Sequence, residues 1–502
     1  MKLAVVVLAA GFGRRMKSSV PKVLHPLLGC PIIKYVLDTV SELSPVQTVV
    51  VVGHGAQEVK DSIGANGIKY SHQKKQLGTG HAASCARSEL LKFKGNVLIV
   101  NGDFPLITSK SLKKFLKAHE KSGSKLSVLT ATMDDPKGYG RIVRDEKGSL
   151  DRIVEEKDAS SKQREIIEIN SGTYLAGSEI LWPLLRGIKP QNRQKEYYLT
   201  DIIGIARKRK LAVSAVRVWD SSEILGINDR VELSQIEAIM RTRVNERIMN
   251  SGVTLIDPGT TYISSDTKIG KDTVIYPGTH IYGQSRIGQK SIIGPHVWIE
   301  DSVIGNNVTV RTSCCITGAS IGDGVTVGPF AHLRPEADIL NNAKIGNFVE
   351  IKKSTIGRGS KVSHLSYVGD AILGRDVNIG AGTVTCNYDG FNKHRTEISD
   401  EVFIGSDTML VAPVKVGKGA VTGAGSTITK DVPEGALAIG RARQTVIENW
   451  LKKPRDIKTR DKKPRKEASI NKDSANSKRS TSARNNTTAG KAQEEGNRRG
   501  KK

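Results

Sequence analysis

At 502 residues the chain is too long for one ordinary core, so its length predicts at least two domains. A hydrophobic content of 38% suits globular domains, and no apolar run is long enough to cross a bilayer. Five scattered cysteines argue against a disulfide framework or a cysteine metal site, and the net charge of +26 would suit nucleic-acid binding only if it were spread over a folded domain.

The first domain is predicted to span residues 1–229, where β-rich runs alternate with helical stretches. Three of these runs, at 3–10, 48–55 and 96–103, end in glycine and polar residues. This alternation predicts a mostly parallel sheet covered by helices, with ligands beyond the carboxyl ends of its strands. The first run continues into a glycine loop and not into a signal-peptide cleavage site, so we expect a cytoplasmic protein.

A connecting helix is predicted over residues 230–250. Apolar residues, among them Ile236, Met240, Val244 and Ile248, recur there at helical intervals with charges between them.

From residue 251 to about 450 an aliphatic residue followed by a small one recurs about every six positions. Examples are Ile269-Gly270, Ile293-Gly294, Ile345-Gly346 and Val416-Gly417. A hexad repeat predicts short strands and turns wound into a triangular prism, with three hexads in each coil. One polar segment, 386–396, interrupts the repeat and is predicted to be a projecting loop that binds a ligand.

The last segment, 451–502, is rich in Lys, Arg, Ser and Asn and is predicted to be a disordered basic tail. It contributes about +12 of the net charge. Because it has no interleaved aromatic residues, we expect only weak polyanion binding and no specific nucleic-acid or membrane partner.

The glycine loop Leu8-Ala-Ala-Gly11-Phe-Gly13-Arg-Arg15-Met could bring backbone amides close to phosphate. By itself it would equally suit a structural turn. With Pro21-Lys22 after it, however, the segment resembles the sugar-nucleotide pyrophosphorylase family. Further motifs follow in the order of that family: 76–81, 101–106, 138–141, 154–155, 170–172, 196–201 and 226–228.

The resemblance is closest to the bifunctional members of this family and covers residues 1 to about 450. It implies a Rossmann-like α/β nucleotide-diphospho-sugar transferase domain and a left-handed parallel β-helix of hexapeptide repeats. It also implies two reactions that together make UDP-N-acetylglucosamine for cell-envelope precursors. Acetyl-CoA first acetylates glucosamine 1-phosphate, and UTP then uridylylates the product with release of pyrophosphate.

For uridylyl transfer the resemblance implies that Asp103 and Asn228 hold Mg²⁺, and that Arg15 and Lys22 neutralise the triphosphate. The residues implied to bind the nucleotide sugar are Leu8, Ala9, Ala10, Gly11, Lys22, Gln73, Gly78, Thr79, Asn101, Gly102, Asp103, Gly140, Glu155, Asn170 and Asn228. Two residues depart from the family pattern, Arg14 in place of Thr and Asn101 in place of an aromatic. We expect both to contribute mainly backbone.

For acetyl transfer the resemblance places the catalytic base at His364, with His332 as the nearest rival, and Glu350 as the carboxylate that orients the imidazole. Arg334, Lys352, Tyr367 and Asn378 are implied to bind the acetyl acceptor. Acetyl-CoA contacts are implied at Ala381, Asn387, Tyr388, Ser406, Ala424 and Arg441. Since such sites lie between neighbouring prisms, a homotrimer is implied as well.

Two other hypotheses remain open from the residues alone. Hexad prisms also serve as inert oligomerisation stems, in which case the chain would be a nucleotidyltransferase only. His364, Glu350 and Lys352 depart from the hexad pattern, and such residues argue against an inert stem. The net charge alternatively suggests a nucleic-acid-binding scaffold, which truncation near residue 450 would test.

Overall fold

The computed structural model describes residues 2–64 and 67–452, so the predicted basic tail lies outside it except for its first two residues. The first part of the chain forms an α/β unit. Its strands are β1 (Leu3–Ala9), β2 (Pro26–Leu27), β3 (Cys30–Pro31), β4 (Gln47–Val52), β5 (Ile68–His72), β6 (Asn96–Asn101), β7 (Leu126–Thr132), β8 (Arg141–Arg144), β9 (Leu150–Val154), β10 (Glu168–Gly177) and β11 (Val213–Arg217). Its helices are α1 (Ile32–Ser41), α2 (Ala56–Ile63), α3 (Thr79–Cys85), α4 (Ser109–Ser122), α5 (Ser161–Arg164), α6 (Ser178–Arg186) and α7 (Asp201–Lys208).

The central sheet has the strand order β11-β7-β10-β6-β1-β4-β5. All its neighbouring strands are parallel except β10, which runs antiparallel to both β6 and β7. Strands such as β1 and β4 are buried on both faces, as their valine-rich sequences require. The parallel strands therefore present their carboxyl ends at one edge of the sheet.

Helix α8 (Arg230–Asn250) connects this unit to the repeat region. Asp229 caps its first turn by accepting hydrogen bonds from the backbone N–H groups of Val231 and Glu232. Near its other end Asn245 donates to the carbonyls of Pro258 and Thr261, at 2.8 and 3.0 Å. The helix thus runs from the edge of the α/β unit to the first coil of the repeats.

The repeat region is a left-handed parallel β-helix with three faces. Face 1 contains β12 (Thr254–Leu255), β15 (Val274–Ile275), β18 (Ile292–Ile293), β21 (Thr309–Val310), β24 (Thr326–Val327), β27 (Lys344–Asn347), β30 (Lys361–His364), β33 (Asn378–Ile379), β36 (Phe403–Ile404), β39 (Val421–Thr422) and β41 (Leu437–Ala438). Face 2 contains β13 (Tyr262–Ile263), β16 (His280–Tyr282), β19 (Trp298–Glu300), β22 (Cys315–Thr317), β25 (His332–Leu333), β28 (Glu350–Lys352), β31 (Tyr367–Gly369), β34 (Val384–Cys386), β37 (Met409–Val411) and β40 (Thr427–Ile428). Face 3 contains β14 (Lys268–Ile269), β17 (Arg286–Ile287), β20 (Val303–Ile304), β23 (Ser320–Ile321), β26 (Asp338–Ile339), β29 (Thr355–Ile356), β32 (Ala371–Leu373), β35 (Thr396–Ile398) and β38 (Val414–Val416).

The aliphatic residue of each hexad points into the shaft. Fully buried residues of this kind, such as Ile275, Ile281, Ile345 and Ile351, form one continuous core. Residues of α8 and of the β2–β3 hairpin extend this core at the N-terminal end of the prism. The structure confirms the predicted fold class of both parts. None of the helices in the described part of the chain combines the length and hydropathy needed to span a membrane.

Candidate active sites

A cavity of about 660 Å³ opens at the carboxyl ends of the parallel strands in the α/β unit. Residues 8–11 reach it from the end of β1, Asn101 and Asp103 from the end of β6, and Gln73 from the end of β5. This is the edge at which the sequence predicted a ligand.

Nearly all residues expected to bind the nucleotide sugar line this cavity. They are Leu8, Ala9, Ala10, Gly11, Lys22, Gln73, Gly78, Thr79, Asn101, Asp103, Gly140, Glu155, Asn170 and Asn228. Arg15, expected to neutralise the triphosphate, lines the cavity as well. Gly102 is the exception, because its N–H donates to the carbonyl of Leu8 at 2.9 Å and it does not reach the lining. Gly102 therefore holds the ends of β1 and β6 together.

Lys22, Asp103 and Asn228 meet at one end of the cavity. The Lys22 ammonium is ion-paired with the Asp103 carboxylate and lies 3.4 Å from the side-chain oxygen of Asn228. One cation can therefore contact both oxygens at once. An aspartate and an amide oxygen suit Mg²⁺, which retains several waters and needs few protein ligands. No cluster of three or more His, Cys, Asp or Glu that could hold a metal occurs in residues 2–64 and 67–452.

The glycine loop presents Arg14 and Arg15 to solvent at the cavity mouth. Gly13 has a φ of 60°, and a Cβ there would lie 2.8 Å from Cβ of Lys22, so this glycine allows Lys22 to approach the loop. The side chains of Arg14 and Asn101 make contacts within the chain. The Arg14 guanidinium stacks 5.1 Å from the centre of the Phe12 ring, and Asn101 donates to the carbonyl of Ser171 at 3.4 Å.

Glu155 and Asn170 lie on the wall expected to bind the sugar. Burial raises the pKa of Glu155, and the nearby Asp201, Asp158 and Glu196 add to the effect. The hydroxyl of Thr200 donates to Glu155 at 3.1 Å. Asn170 accepts hydrogen bonds from the Gly172 N–H and the Tyr174 hydroxyl, at 2.9 and 3.1 Å. Both groups are therefore held in fixed orientations.

Gln73, Gly78 and Thr79 form the wall expected to hold the uridine. The Gln73 amide is buried and donates to the carbonyl of Gly78 at 3.1 Å. Gly78 has a φ of 109°, and a Cβ atom on this residue would lie 2.6 Å from the carbonyl oxygen of Tyr197. The Thr79 hydroxyl accepts from the Leu199 N–H at 3.0 Å.

The lining also contains residues that were not among the expected site residues, including Tyr139, Tyr174 and Thr200. The Gly226 N–H lies 3.5 Å from the Tyr139 hydroxyl, which links the sugar wall to the loop that carries Asn228. Tyr139 and Thr200 lie inside the quoted motifs 138–141 and 196–201, so those motifs contained the signal.

The acetyl-acceptor residues expected on the prism stack on face 2. Glu350 pairs in register with Tyr367, and Lys352 with Gly369, on successive strands. Arg334 follows β25, one coil below, and its guanidinium donates to Glu350 at 2.8 Å. Asn378 differs, because it lies on β33 of face 1.

The His364 imidazole lies at the corner between faces 1 and 2, exposed in a single chain. Its Nδ1 lies 2.6 Å from the side-chain oxygen of Asn347, which pairs with it in register one coil below. This partner differs from the one we expected, since Glu350 is engaged by Arg334 and the described part of the chain contains no Glu350–His364 hydrogen bond. His332 pairs in register with Glu350, away from that corner.

The projecting loop brings a second lysine to the acceptor residues. The Lys352 ammonium lowers the pKa of Lys393, which also lies near Asp370 and Tyr367. Asn387 donates to the Asp370 carboxylate at 2.5 Å and to the Tyr367 hydroxyl at 3.5 Å. Two neighbouring ammonium groups repel each other unless an anion binds between them, so this cluster is suited to a phosphate.

The expected acetyl-CoA residues fall on two edges of face 2. Ala381, Ser406, Ala424 and Arg441 form a column along the corner above His364, in which Arg441 donates to the Ala424 carbonyl at 2.9 Å. Asn387 and Tyr388 lie in the loop that leaves the far end of face 2. Hydrogen bonds within that loop hold its turn, because Asp389 accepts the N–H groups of Phe391 and Asn392 and contacts the His394 ring at 2.7 Å.

Comparisons with known proteins agree with this architecture. Residues 5–168 match the MobA-like NTP transferase domain, and residues 266–301 and 318–353 match the bacterial transferase hexapeptide (six repeats). Relatives named bifunctional protein GlmU include one from Exiguobacterium sp., 51% identical over 90% of this chain and 100% of the relative. Those from Shouchella clausii and Heliobacterium modesticaldum are 51% and 52% identical, over 89% and 90% of this chain and 98% of each relative.

Proposed function

This chain belongs to the family of bifunctional GlmU proteins, and we propose that its two sites carry the two reactions of UDP-N-acetylglucosamine synthesis. The prism acetylates glucosamine 1-phosphate with acetyl-CoA, and the α/β unit transfers a uridylyl group from UTP to the product. The meeting of Lys22, Asp103 and Asn228 at one end of a cavity walled by Glu155 and Asn170 is the observation that carries the first site.

In uridylyl transfer an oxygen of the sugar phosphate forms a bond to the α-phosphorus of UTP, and the bond to pyrophosphate breaks. Arg15 and Lys22 neutralise the phosphate oxygens at the cavity mouth. Gln73 and Thr79 hold the uridine against the wall, while Glu155 and Asn170 orient the sugar so that its phosphate lies in line. The chemistry requires charge screening and positioning, which these side chains supply.

Asp103 and Asn228 would hold Mg²⁺, which would supply positive charge to neutralise the phosphates. The Lys22 ammonium contacts both of these oxygens, so it lies next to the place where the phosphates would bind.

In acetyl transfer the amine nitrogen of the substrate attacks the thioester carbonyl, so that a C–N bond forms and the C–S bond breaks. Nε2 of His364 accepts the proton of the amine, since Nδ1 is occupied by Asn347. Arg334, Lys352 and Lys393 bind the sugar phosphate, Tyr367 and Asn378 bind the sugar, and the corner column binds acetyl-CoA. This arrangement supports catalysis by the prism and not a mere stem.

The geometry of a single prism supports the proposal of a homotrimer with composite acetyl sites. Asn378 lies on face 1, whereas Arg334, Lys352 and Tyr367 lie on face 2, and outward side chains on different faces point apart. Beside His364 the corner also exposes a column of apolar residues, Phe330, Phe348 and Leu365, each about half exposed. Neighbouring chains would cover this column and complete the acceptor site.

We assign the enzyme to the cytoplasm, where both co-substrates are made and where its five free cysteines would remain reduced. Its product would feed peptidoglycan, lipopolysaccharide or other envelope precursors.

The two reactions can be tested together in one mixture of purified full-length protein, glucosamine 1-phosphate, acetyl-CoA, UTP and Mg²⁺. Free thiol reports acetyl transfer, and pyrophosphate reports uridylyl transfer. We expect His364→Ala to abolish thiol release while uridylyl transfer to added N-acetylglucosamine 1-phosphate persists, and Asp103→Asn to do the reverse. Unchanged thiol release from His364→Ala would refute the assignment of the base.

A further inference from the structure

A second cavity, of about 490 Å³, lies where the end of α8 meets the first coils of the prism. It shares no lining residue with the nucleotide cavity and lies several coils below His364. Its lining contains three cations from different elements, Arg247 of α8, Lys268 of β14 and Arg286 of β17, and a single carboxylate, Asp266. Neither reaction proposed above uses these residues.

The charges in this cavity are not balanced. Lys268 and Arg286 pair in register on adjacent strands, so two positive side chains stand next to each other on the outer surface of face 3. In the part of the chain that the structure describes, neither of the two has an ion-pair partner. Asp266 does not compensate them, because its carboxylate is held by Lys34 at 3.0 Å. Like charges opposite each other on neighbouring strands are destabilising unless a counterion binds between them.

Arg247 supplies the third cation. It uses one nitrogen to donate to the carbonyl of Ser265 at 2.6 Å, which fixes its guanidinium while leaving other N–H donors available to an anion.

We propose that this cavity is a binding site for a small phosphate-bearing anion, which bridges α8 and the prism through Arg247, Lys268 and Arg286. A phosphate carries enough charge to compensate the unpaired cations, and its oxygens match the fork of a guanidinium. The lining contains no aromatic side chain on which a base could stack, so the site recognises the phosphate and not a nucleobase. Free phosphate, pyrophosphate and sugar phosphates share this chemistry.

The test is calorimetric titration of the full-length protein with inorganic phosphate, pyrophosphate and glucose 1-phosphate in separate experiments. The cavity variant is Lys268→Ala/Arg286→Ala. The matched control is Lys271→Ala/Lys290→Ala, which removes the same charge from exposed positions on the same coils outside the lining. Both variants retain both active sites, so any binding there contributes equally to the two titrations.

We expect the wild type and the control to bind one more equivalent of at least one probe than the cavity variant, whose affinity at this site falls about tenfold or more. The three probes distinguish an inorganic anion from a phosphate ester. Because the cavity variant removes a repulsive pair, it should melt at a temperature no lower than the wild type. Identical isotherms for all three proteins, or an equal loss in both variants, would overturn the proposal.

Discussion

The hydrogen-bond partner of His364, the proposed catalytic base, can be tested through Asn347. If Nδ1–H of His364 donates to the side-chain oxygen of Asn347 at 2.6 Å, the imidazolium that forms during acetyl transfer keeps this bond while Nε2 carries the proton. A hydrogen bond to a charged group contributes about 1.5–3 kcal/mol. Loss of that bond in Asn347→Ala should therefore lower kcat of acetyl transfer roughly tenfold to a hundredfold.

The comparison variant is Glu350→Gln, which alters the ion pair with Arg334 and leaves Asn347 in place. Because Arg334 is proposed to bind the sugar phosphate, this variant should raise KM for glucosamine 1-phosphate more than it lowers kcat. Release of free thiol at varied substrate concentration separates the two parameters. Pyrophosphate release from UTP and N-acetylglucosamine 1-phosphate should be unchanged in both variants.

The opposite pattern would refute this reasoning. If Asn347→Ala stays within about twofold of the wild type while Glu350→Gln lowers kcat, then Glu350 orients the imidazole in the assembled enzyme. The sequence-based expectation would then be correct, and the single-chain contact with Asn347 would have no catalytic role.

Three further predictions address other parts of the molecule. Lys393→Ala should raise KM for glucosamine 1-phosphate about tenfold in steady-state kinetics, since it removes one of the two ammonium groups that converge on the phosphate; an unchanged KM would separate the loop from the acceptor site. Gly78→Ala should destabilise the fold by about 1–3 kcal/mol in denaturant titrations, and by more than Gly123→Ala, where φ is 63° and the space around the glycine is open. Burial raises the pKa of Glu155 above 4.5, so its ionisation costs stability as pH rises through the raised value. Glu155→Gln should accordingly raise Tm at pH 8 and lose this advantage below about pH 4, and an equal gain at both pH values would contradict that account.

Much of the nucleotide site could be predicted from the sequence because its residues follow the ends of buried strands. Hydrophobic runs such as β1 and β6 fix where each strand stops, and in a parallel sheet those ends share one edge. The contacts across the cavity were harder to predict from the sequence. The bond between Thr200 and Glu155 joins residues 45 positions apart, and nothing in either local pattern predicts that distance.

The partner of His364 shows why regular periodicity was not enough on the prism. A strict step of eighteen residues places Gly346 beneath His364, but the register between β27 and β30 is seventeen residues, so that Asn347 lies there instead. Other coils differ again: the step from β12 to β15 is twenty residues, and that from β33 to β36 is twenty-five because the projecting loop is inserted. Each change of length alters which residue, counted along the chain, lies beneath a given outward side chain, while the inward aliphatic residues remain aligned. The hexads therefore determine the core, whereas the coil lengths determine which polar residues meet on the surface, and on this prism they place Asn347 beside the proposed catalytic base.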